Sequence, residues 1–534
     1  MRLKSLQFSS LHLCGVVLTA FCLVFFAPSG IGATWYVATN GVDTNLGMSN
    51  SPYATIMQAQ SAASFGDTVY LRGGTYYLDN SNFTVTNSPW AIVNNINKSG
   101  ISYLAYPGEL PVFDFSSVRP DGWRVTAFLV TANNCVFKGF DVVGVQVTIA
   151  GTHTQSENFR VASTSANFNR FEQLRMHDGM GNGWYLTDGA SNLVLNCDAY
   201  NNRGLDSGSL GNTDGFGCHP AHTSGTGNVI RGCRAWFNSD DGYDCINAKV
   251  VVTFDHCWSF YNGYFTNFAK STGDGNGFKS GGYGVTNGSV PSPVPRHITR
   301  FCLAVRNRVN GFYANHHTGG LDWFNNTAYR DNGANYNMLC NLDAQSSTND
   351  VPGFNHVMKN NLGYKGGGSA EVVNLGPTND VTFNFFTNYN PTSVTVASND
   401  FVTLDESLLI SSRQPNGDLP YIAFAQLTNT SDCIDAGTNL GFAFYGAAPD
   451  LGAFEFGPTD APPLTVALSG ANLVFAASGW ANRTNYLIAA TDLALAPSQW
   501  TCIATNESDL SGNCAFTNAI PVGAPQQFYR LKLP

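Results

Sequence analysis

The sequence predicts an all-β chain: a parallel β-helix, that is, a solenoid of short stacked strands, followed by a small β-sandwich-like domain. Three observations predict it. Charged residues are only 12 % of the 534, glycine contributes 55, and short apolar runs alternate with Asn-Gly and Asp-Gly turns. A unit with cysteine and, five residues later, asparagine recurs along the middle of the chain. An Asx-Gly-aromatic motif follows each copy of it.

The N-terminus has the layout of a secretory signal. Arg2 and Lys4 precede an apolar run from about Leu11 to Phe26, and the small residues Ser29, Gly30, Gly32 and Ala33 follow. The run is short for a membrane span, so cleavage near Ala33 and export are expected, with no span left afterwards. Loss of residues 1–33 removes two positive charges and moves the net charge from −10 to −12. Such a protein has no global attraction for nucleic acid, and an anionic substrate would need local positive charge at its site. Cys14 and Cys22 lie in the signal, leaving eleven cysteines. That odd number argues against a full disulfide framework. Cys502 and Cys514 are the best candidates for a bridge, and the cysteines of the repeats are expected to pack as small apolar residues.

After the signal, TWYVATNG reads as a strand and turn. Residues 53–64 carry an amphipathic helix pattern that ends at Phe65-Gly66-Asp67, and residues 68–71 read as a strand. A helix over the first coil covers the exposed end that a solenoid otherwise leaves open.

The repeats come next. In NCDAYNN, GCRAWFN, HCWSFYN and FCLAVRN, cysteine falls at 197, 233, 257 and 302, and asparagine at 202, 238, 262 and 307. The shortest interval is 24 residues, and such a unit buries its apolar face only against neighbouring copies. The aligned asparagines are expected to stack as an amide ladder. The second motif reads NGWY at 182, DGFG at 214, DGYD at 241, NGFK at 276 and NGFY at 310. Extra residues lie between Asn202 and Asp214 and between Asn262 and Asn276, where loops on a binding face are expected. The repeats fade after about residue 375. GPTDAPP at 457–463 reads as a linker, which gives a signal at 1–33, a β-helix at 34–458 and a small all-β domain at 459–534.

The alignment places Asp214, Asp241 and Asn276 one above another, and three residues on it places Gly217, Asp244 and Lys279. Asp240 adjoins Asp241. Stacked strands lie about 4.8 Å apart, so four aspartates and a lysine share one small site. A single Asp-Gly is ordinarily a turn with the carboxylate capping backbone N–H groups. Four aspartates on adjacent coils repel one another unless a cation sits among them, and oxygen ligands without Cys or His favour Ca²⁺. Lysine is ordinarily a solvated surface residue, but beside a cation and partly desolvated it becomes a general base. These parts fit β-elimination on an acidic, uronate-containing polysaccharide: a cation neutralises the carboxylate, Lys279 takes the C5 proton, and the C4–O bond breaks.

The motifs DGFG at 214, NSDDGYD at 238–244 and GNGFKSGG at 275–282, with NGFYANHHTGG at 310–320 and NNTAYRDNGANY at 325–336, resemble polysaccharide lyase family 9. These are the pectate lyases built on a ten-coil right-handed β-helix. The resemblance covers residues 180–340 well and omits the tail domain. It implies calcium ligands at Asp214, Asp240, Asp241 and Asp244 and a base at Lys279. The histidines of NGFYANHH stand where the family has an aspartate and asparagines, which bears on the sugar preferred.

Lys249, Lys270, Arg300, Arg306, Arg308 and His316 are candidate contacts to substrate carboxylates, against ordinary surface charge. Tyr243, Phe278, Phe312 and Tyr313 suit core packing better than sugar stacking. The histidines of CHPAH at 218–222 have a metal-like spacing but no further ligand for zinc. A glycoside hydrolase and a non-catalytic carbohydrate-binding surface protein remain as alternatives. No oligomer interface is legible, and a monomer is expected.

Overall fold

The computed structural model describes residues 32–532, apart from residues 88 and 150 and the stretches 152–154, 206–209, 283–289, 343–348, 368–370, 458–463, 479–483, 493–494, 496–498, 510–512 and 521–525. The signal expected at 1–33 and the linker at 457–463 thus fall outside the described residues, except for residues 32, 33 and 457. No helix among the described residues is long and apolar enough to cross a membrane.

The chain winds into a right-handed parallel β-helix. Among the described residues, three long sheets of 11, 10 and 11 strands form its faces, and their strands pair in parallel with counterparts one coil away, except Val85–Asn87, which pairs antiparallel with Trp90–Ile96. The first sheet begins at Thr34–Val37 and Thr68–Leu71, both expected as strands, and the second begins at Gly74–Asp79. The third contains Asn182–Asp188, Phe216–Cys218, Tyr243–Asp244, Phe278–Lys279 and Asn310–Tyr313 in successive coils. The capping helix runs Ile56–Ala62, shorter than its sequence pattern, because the Thr55 hydroxyl accepts the Gln58 N–H and starts it late.

Two ladders hold the bends. The Asn202, Asn238 and Asn262 side-chain amides each donate to the next Oδ1 at 3.0–3.1 Å, Asn307 continues the series, and it donates to Asp331 at 2.9 Å. The residue before each rung (Asn201, Phe237, Tyr261, Arg306 and Arg330) is left-handed, with φ between 51° and 60°. Four of these five are neither Gly nor Asn, so the buried amide pairs must outweigh the local strain. At the other bend Cys197, Cys233, Cys257 and Cys302 are buried and unpaired, as their repeat positions imply. Inside the third sheet Phe216, Tyr243, Phe278, Phe312 and Tyr336 stack with ring centroids 4.6–5.1 Å apart. Three of the four aromatics considered for sugar stacking are therefore core; Tyr313 faces outward.

Residues 398–456 form a strap that the repeat pattern does not contain. Phe401, Leu409, Phe424 and Leu451 cover the outer side of the second sheet at Trp258, Leu303 and Leu362. Beyond it, two three-stranded antiparallel sheets share a core of Phe475, Leu487, Phe516 and Leu531. The bridge expected between Cys502 and Cys514 is absent. Cys514 is buried opposite Ala477 in one sheet, whereas Cys502 is exposed opposite Ile488 in the other.

Candidate active site

The outer surface of the third sheet carries the predicted cluster, and strict register builds it. Gly217 pairs with Asp244, Asp244 with Lys279, and Lys279 with Tyr313. Since the neighbouring aromatics face inward, this row faces out. At the bend before it runs a second ladder. The Asp214 N–H donates to Asn182 Oδ1 at 2.8 Å, the Asp241 N–H to Asp214 Oδ1 at 3.1 Å, and the Asn276 N–H to Asp241 Oδ1 at 2.6 Å. The Asn276 Oδ1 then accepts from the Asn310 side chain at 2.8 Å.

In each aspartate of the cluster a backbone N–H takes Oδ1. Asp240 Oδ1 accepts from Asp274 N at 2.5 Å and Asp244 Oδ1 from Ile246 N at 2.7 Å. One ligand oxygen each from Asp214, Asp240 and Asp241 lies within 4.8 Å of the others. All three residues are buried, and Asp241 Oδ2 has no hydrogen-bond partner. Burial first, then the charges of Asp240, Asp244 and Asp241, push the Asp214 carboxyl well above the ordinary carboxylate range. Burial and Asp241 do the same to Asp240, and burial pushes Asp241 up to about 6 against the pull of Lys279. Crowded buried carboxylates, one of whose oxygens accepts no hydrogen bond and meets only the Lys279 ammonium, fit a hard divalent cation. Asp244, the fourth expected ligand, sits slightly apart, beside the lysine.

Lys279 is 9 % exposed, too buried for a solvated surface lysine. Its Nζ lies 3.2 Å from Asp241 Oδ2, 3.4 Å from Asp244 Oδ2 and 3.3 Å from Asp274 Oδ2. Burial disfavours the ammonium, but Asp244, Asp241, Asp240 and Asp274 outweigh it and hold the group well above the ordinary lysine range. Of the carboxylates that favour the ammonium, Asp244, Asp241 and Asp240 are those a cation at the cluster would bear on.

Asp274 was not singled out from sequence, because it lies on an insertion and not on a repeat position. The only signal was an acidic residue five before the lysine, in GDGNGFK. Gly273 brings it in: a Cβ there would meet Ser239 O at 2.3 Å and Leu210 O at 2.5 Å, so the two inserted loops touch at that point. Arg308 Nη2 donates to Gly273 O and to Asp274 O, the latter at 3.0 Å, so this candidate braces the loop. One rung above Asp244, Tyr185 and His219 close over Gly217, where a Cβ would meet them at 2.6 and 2.8 Å.

The other substrate candidates separate. His316 lies just past Tyr313, with Nδ1 2.6 Å from Asp350 Oδ1. Lys270 is exposed on the inserted loop, and Lys249 is half-buried on the turn beyond Asp244. Arg300 and Arg306 are not at the site. Arg300 pairs with Asp255 on the first sheet at 3.0 Å, and Arg306 pairs with Glu406 of the strap at 3.3 Å. Aligned sequence units do not say which way a corner residue turns, and both turn away from the third sheet. The CHPAH histidines diverge, His219 to Ile246 O and His222 to Asp188, so they form no zinc pair.

Comparisons with known proteins bear on the family and the fold. The family described as "Pel9A-like, right handed beta helix region" matches residues 35–361. "Pectate lyase L" of Dickeya chrysanthemi is 35 % identical over 436 residues, 79 % of this chain and 90 % of that protein. "Pectate lyase PEL9" of Emericella nidulans is 30 % identical over 321 residues, 57 % of this chain and 74 % of that one. A solved "Rhamnogalacturonan lyase" is 44 % identical with a TM-score of 0.70, covering 74 % of this chain and 97 % of its own. A crystal structure of pectate lyase Pel9A is 30 % identical with a TM-score of 0.61, covering 80 % and 97 %. The chain belongs to the Pel9A-like right-handed β-helix family, that of polysaccharide lyase family 9, and is a polysaccharide lyase.

Proposed function

We propose that this is an exported, calcium-dependent lyase that cleaves a galacturonate-containing polysaccharide by β-elimination, with Lys279 as the base. The observation that carries the reading is a buried lysine one rung from Asp244 and in contact with Asp241, at the edge of the Asp214–Asp240–Asp241 cluster. Asp214, Asp240 and Asp241 would hold the cation, with Asp244 at its margin. When bound, the cation neutralises these aspartates and a substrate carboxylate, which acidifies the neighbouring C5 proton. With those aspartates neutralised, burial favours the neutral amine and Asp274, 3.3 Å from Nζ, is the carboxylate left to oppose it. Lys279 then accepts the C5 proton, the electron pair forms the C4–C5 double bond, the C4–O bond breaks, and solvent protonates the departing oxygen. Hydrolysis by paired carboxylates would leave Lys279 without a role. Export rests on the signal pattern of residues 1–33.

The polymer to test first is rhamnogalacturonan. Identity is 44 % with the rhamnogalacturonan lyase against 30–35 % with the pectate lyases named above, and the NGFYANHH segment that carries His316 departs from the aspartate and asparagines of the family pattern. Ultraviolet absorbance from the conjugated product, followed on rhamnogalacturonan and on polygalacturonate with calcium or with chelator, tests the proposal. A calcium-dependent rise on either polymer supports it, and reducing ends formed without any rise would replace it by hydrolysis.

A further inference from the structure

The bend between the first and second sheets, on the far side of the helix from Lys279, carries a cavity of about 460 Å³ roofed by the strap. Its walls are aromatic: Trp258, Phe301, Tyr421, Phe442 and Phe454. The volume falls among those of small-ligand sites, roughly 300–1,000 Å³.

Its polar end is Arg300. Nη2 donates to Asp255 Oδ2 at 3.0 Å, whereas Nη1 has no hydrogen bond to a described residue. The guanidinium carbon lies 5.0 Å from the centre of the Phe442 ring. Asp255 does not cancel this charge by itself, because Arg231 and His256 also hold it, at 2.9 and 2.7 Å. Glu455, the other carboxyl in the wall, accepts the Asp450 N–H at 3.1 Å. Burial, with Asp450 beside it, pushes its carboxyl up to about 7, which weakens its opposition to an anion.

The geometry points to a second saccharide site here, for an acidic mono- or disaccharide whose ring packs on Phe301 and Phe442 and whose carboxylate meets Arg300. Aromatic faces take the C–H faces of a sugar, and a partly free guanidinium recognises its carboxylate. The site is independent of Lys279; only the choice of an acidic sugar rests on the proposed substrate. Two sources carry that chemistry, a released product and the end of a polymer chain.

The test uses the full chain with Lys279→Ala, so that no ligand is consumed. Crystals soaked with digalacturonate are expected to show sugar in the strap cavity. Calorimetry is expected to show a binding event that Phe442→Ala weakens at least about tenfold and that Arg300→Gln makes indifferent to the sugar's charge. In the otherwise unaltered enzyme, Phe442→Ala should leave turnover of short substrates within about twofold, since it lies away from the third sheet. Weaker retention of polymer on adding Phe442→Ala assigns the chain end, and a loss confined to digalacturonate assigns the product. Sugar confined to the third-sheet groove, or binding indifferent to both substitutions, overturns the site. Equal affinity for galactobiose overturns its acidic assignment. Phe442-dependent binding without β-elimination on any polymer would reject the proposed function and leave this site standing.

Discussion

Lys279 stands under two opposing influences, burial that favours the neutral amine and nearby carboxylates that favour the ammonium. Five aspartates (214, 240, 241, 244 and 274) bear on one lysine, so the site carries excess negative charge. The proposed base therefore depends on what neutralises its neighbours. Lys279→Ala is expected to lower kcat on the preferred polymer by about 10²–10⁴, the usual worth of a general base. The alanine also removes the positive charge that offsets Asp241, Asp244 and Asp274, so the variant's Tm should fall, and its kcat is read at a temperature where thermal unfolding shows it folded. Activity within a few-fold of the parent enzyme would remove Lys279 from the mechanism. At this scale the sequence was legible where residues fall on repeat positions: Asp214, Asp241, Asp244 and Lys279 lie on the rungs that counting assigned. It was illegible for Asp274, which reaches the lysine from an insertion whose path depends on Gly273. It was misleading for Arg300 and Arg306, whose partners Asp255 and Glu406 lie 45 and 100 residues away.

Among the elements, the strap was the least foreseeable. Its contacts join residues far apart in sequence and leave no period to detect. Its anchor is Asp198, buried beneath two guanidiniums: Arg234 Nη2 is 2.9 Å from Oδ2 and Arg413 Nη2 is 2.7 Å from Oδ1. Arg234 Nη1 also donates to Ser411 O at 2.7 Å, so the cluster ties strap to second sheet. Burial opposes the Asp198 charge, yet Arg413 and Arg234 hold its carboxyl well below the ordinary value of 3.8. The unfolded chain thus binds this proton first as pH falls. The stability Asp198 supplies is fully present above about pH 4 and is lost as pH drops from there through the depressed folded value. Asp198→Asn is expected to cost about 3–5 kcal/mol at neutral pH, because it leaves two arginines without their charge partner. It should also flatten the decline below pH 4, as read by denaturant unfolding across pH. Parallel pH profiles for variant and parent would show that Asp198 does not couple stability to acid.

Across the whole molecule, each coil of a β-helix rests on its neighbours, so a weak coil in the middle of the stack affects both halves. The coils that carry Asp214, Asp240, Asp241 and Asp244 lie well inside the third sheet, and they combine buried like charges with an Asp241 Oδ2 that accepts no hydrogen bond. The surrounding framework of asparagine rungs, unpaired cysteines and stacked aromatics was readable from the 24-residue period. It is also rigid enough to hold carboxylates that repel one another. A cation that binds only the folded cluster would stabilise the chain by mass action, about 2.7 kcal/mol at a hundredfold excess over its Kd. With an unfolding entropy near 2 cal/mol/K per residue, that is roughly 2–3 °C in Tm for a chain of this length. Thermal unfolding with calcium and with chelator should show this rise, and Asp241→Asn should abolish most of it. The same variant should unfold at or above the parent's Tm in chelator, because it removes one of the repelling charges. If the parent's Tm ignores calcium at concentrations that support turnover, the cluster is not where the cation binds, and the carboxylates must be paired with Lys279 alone.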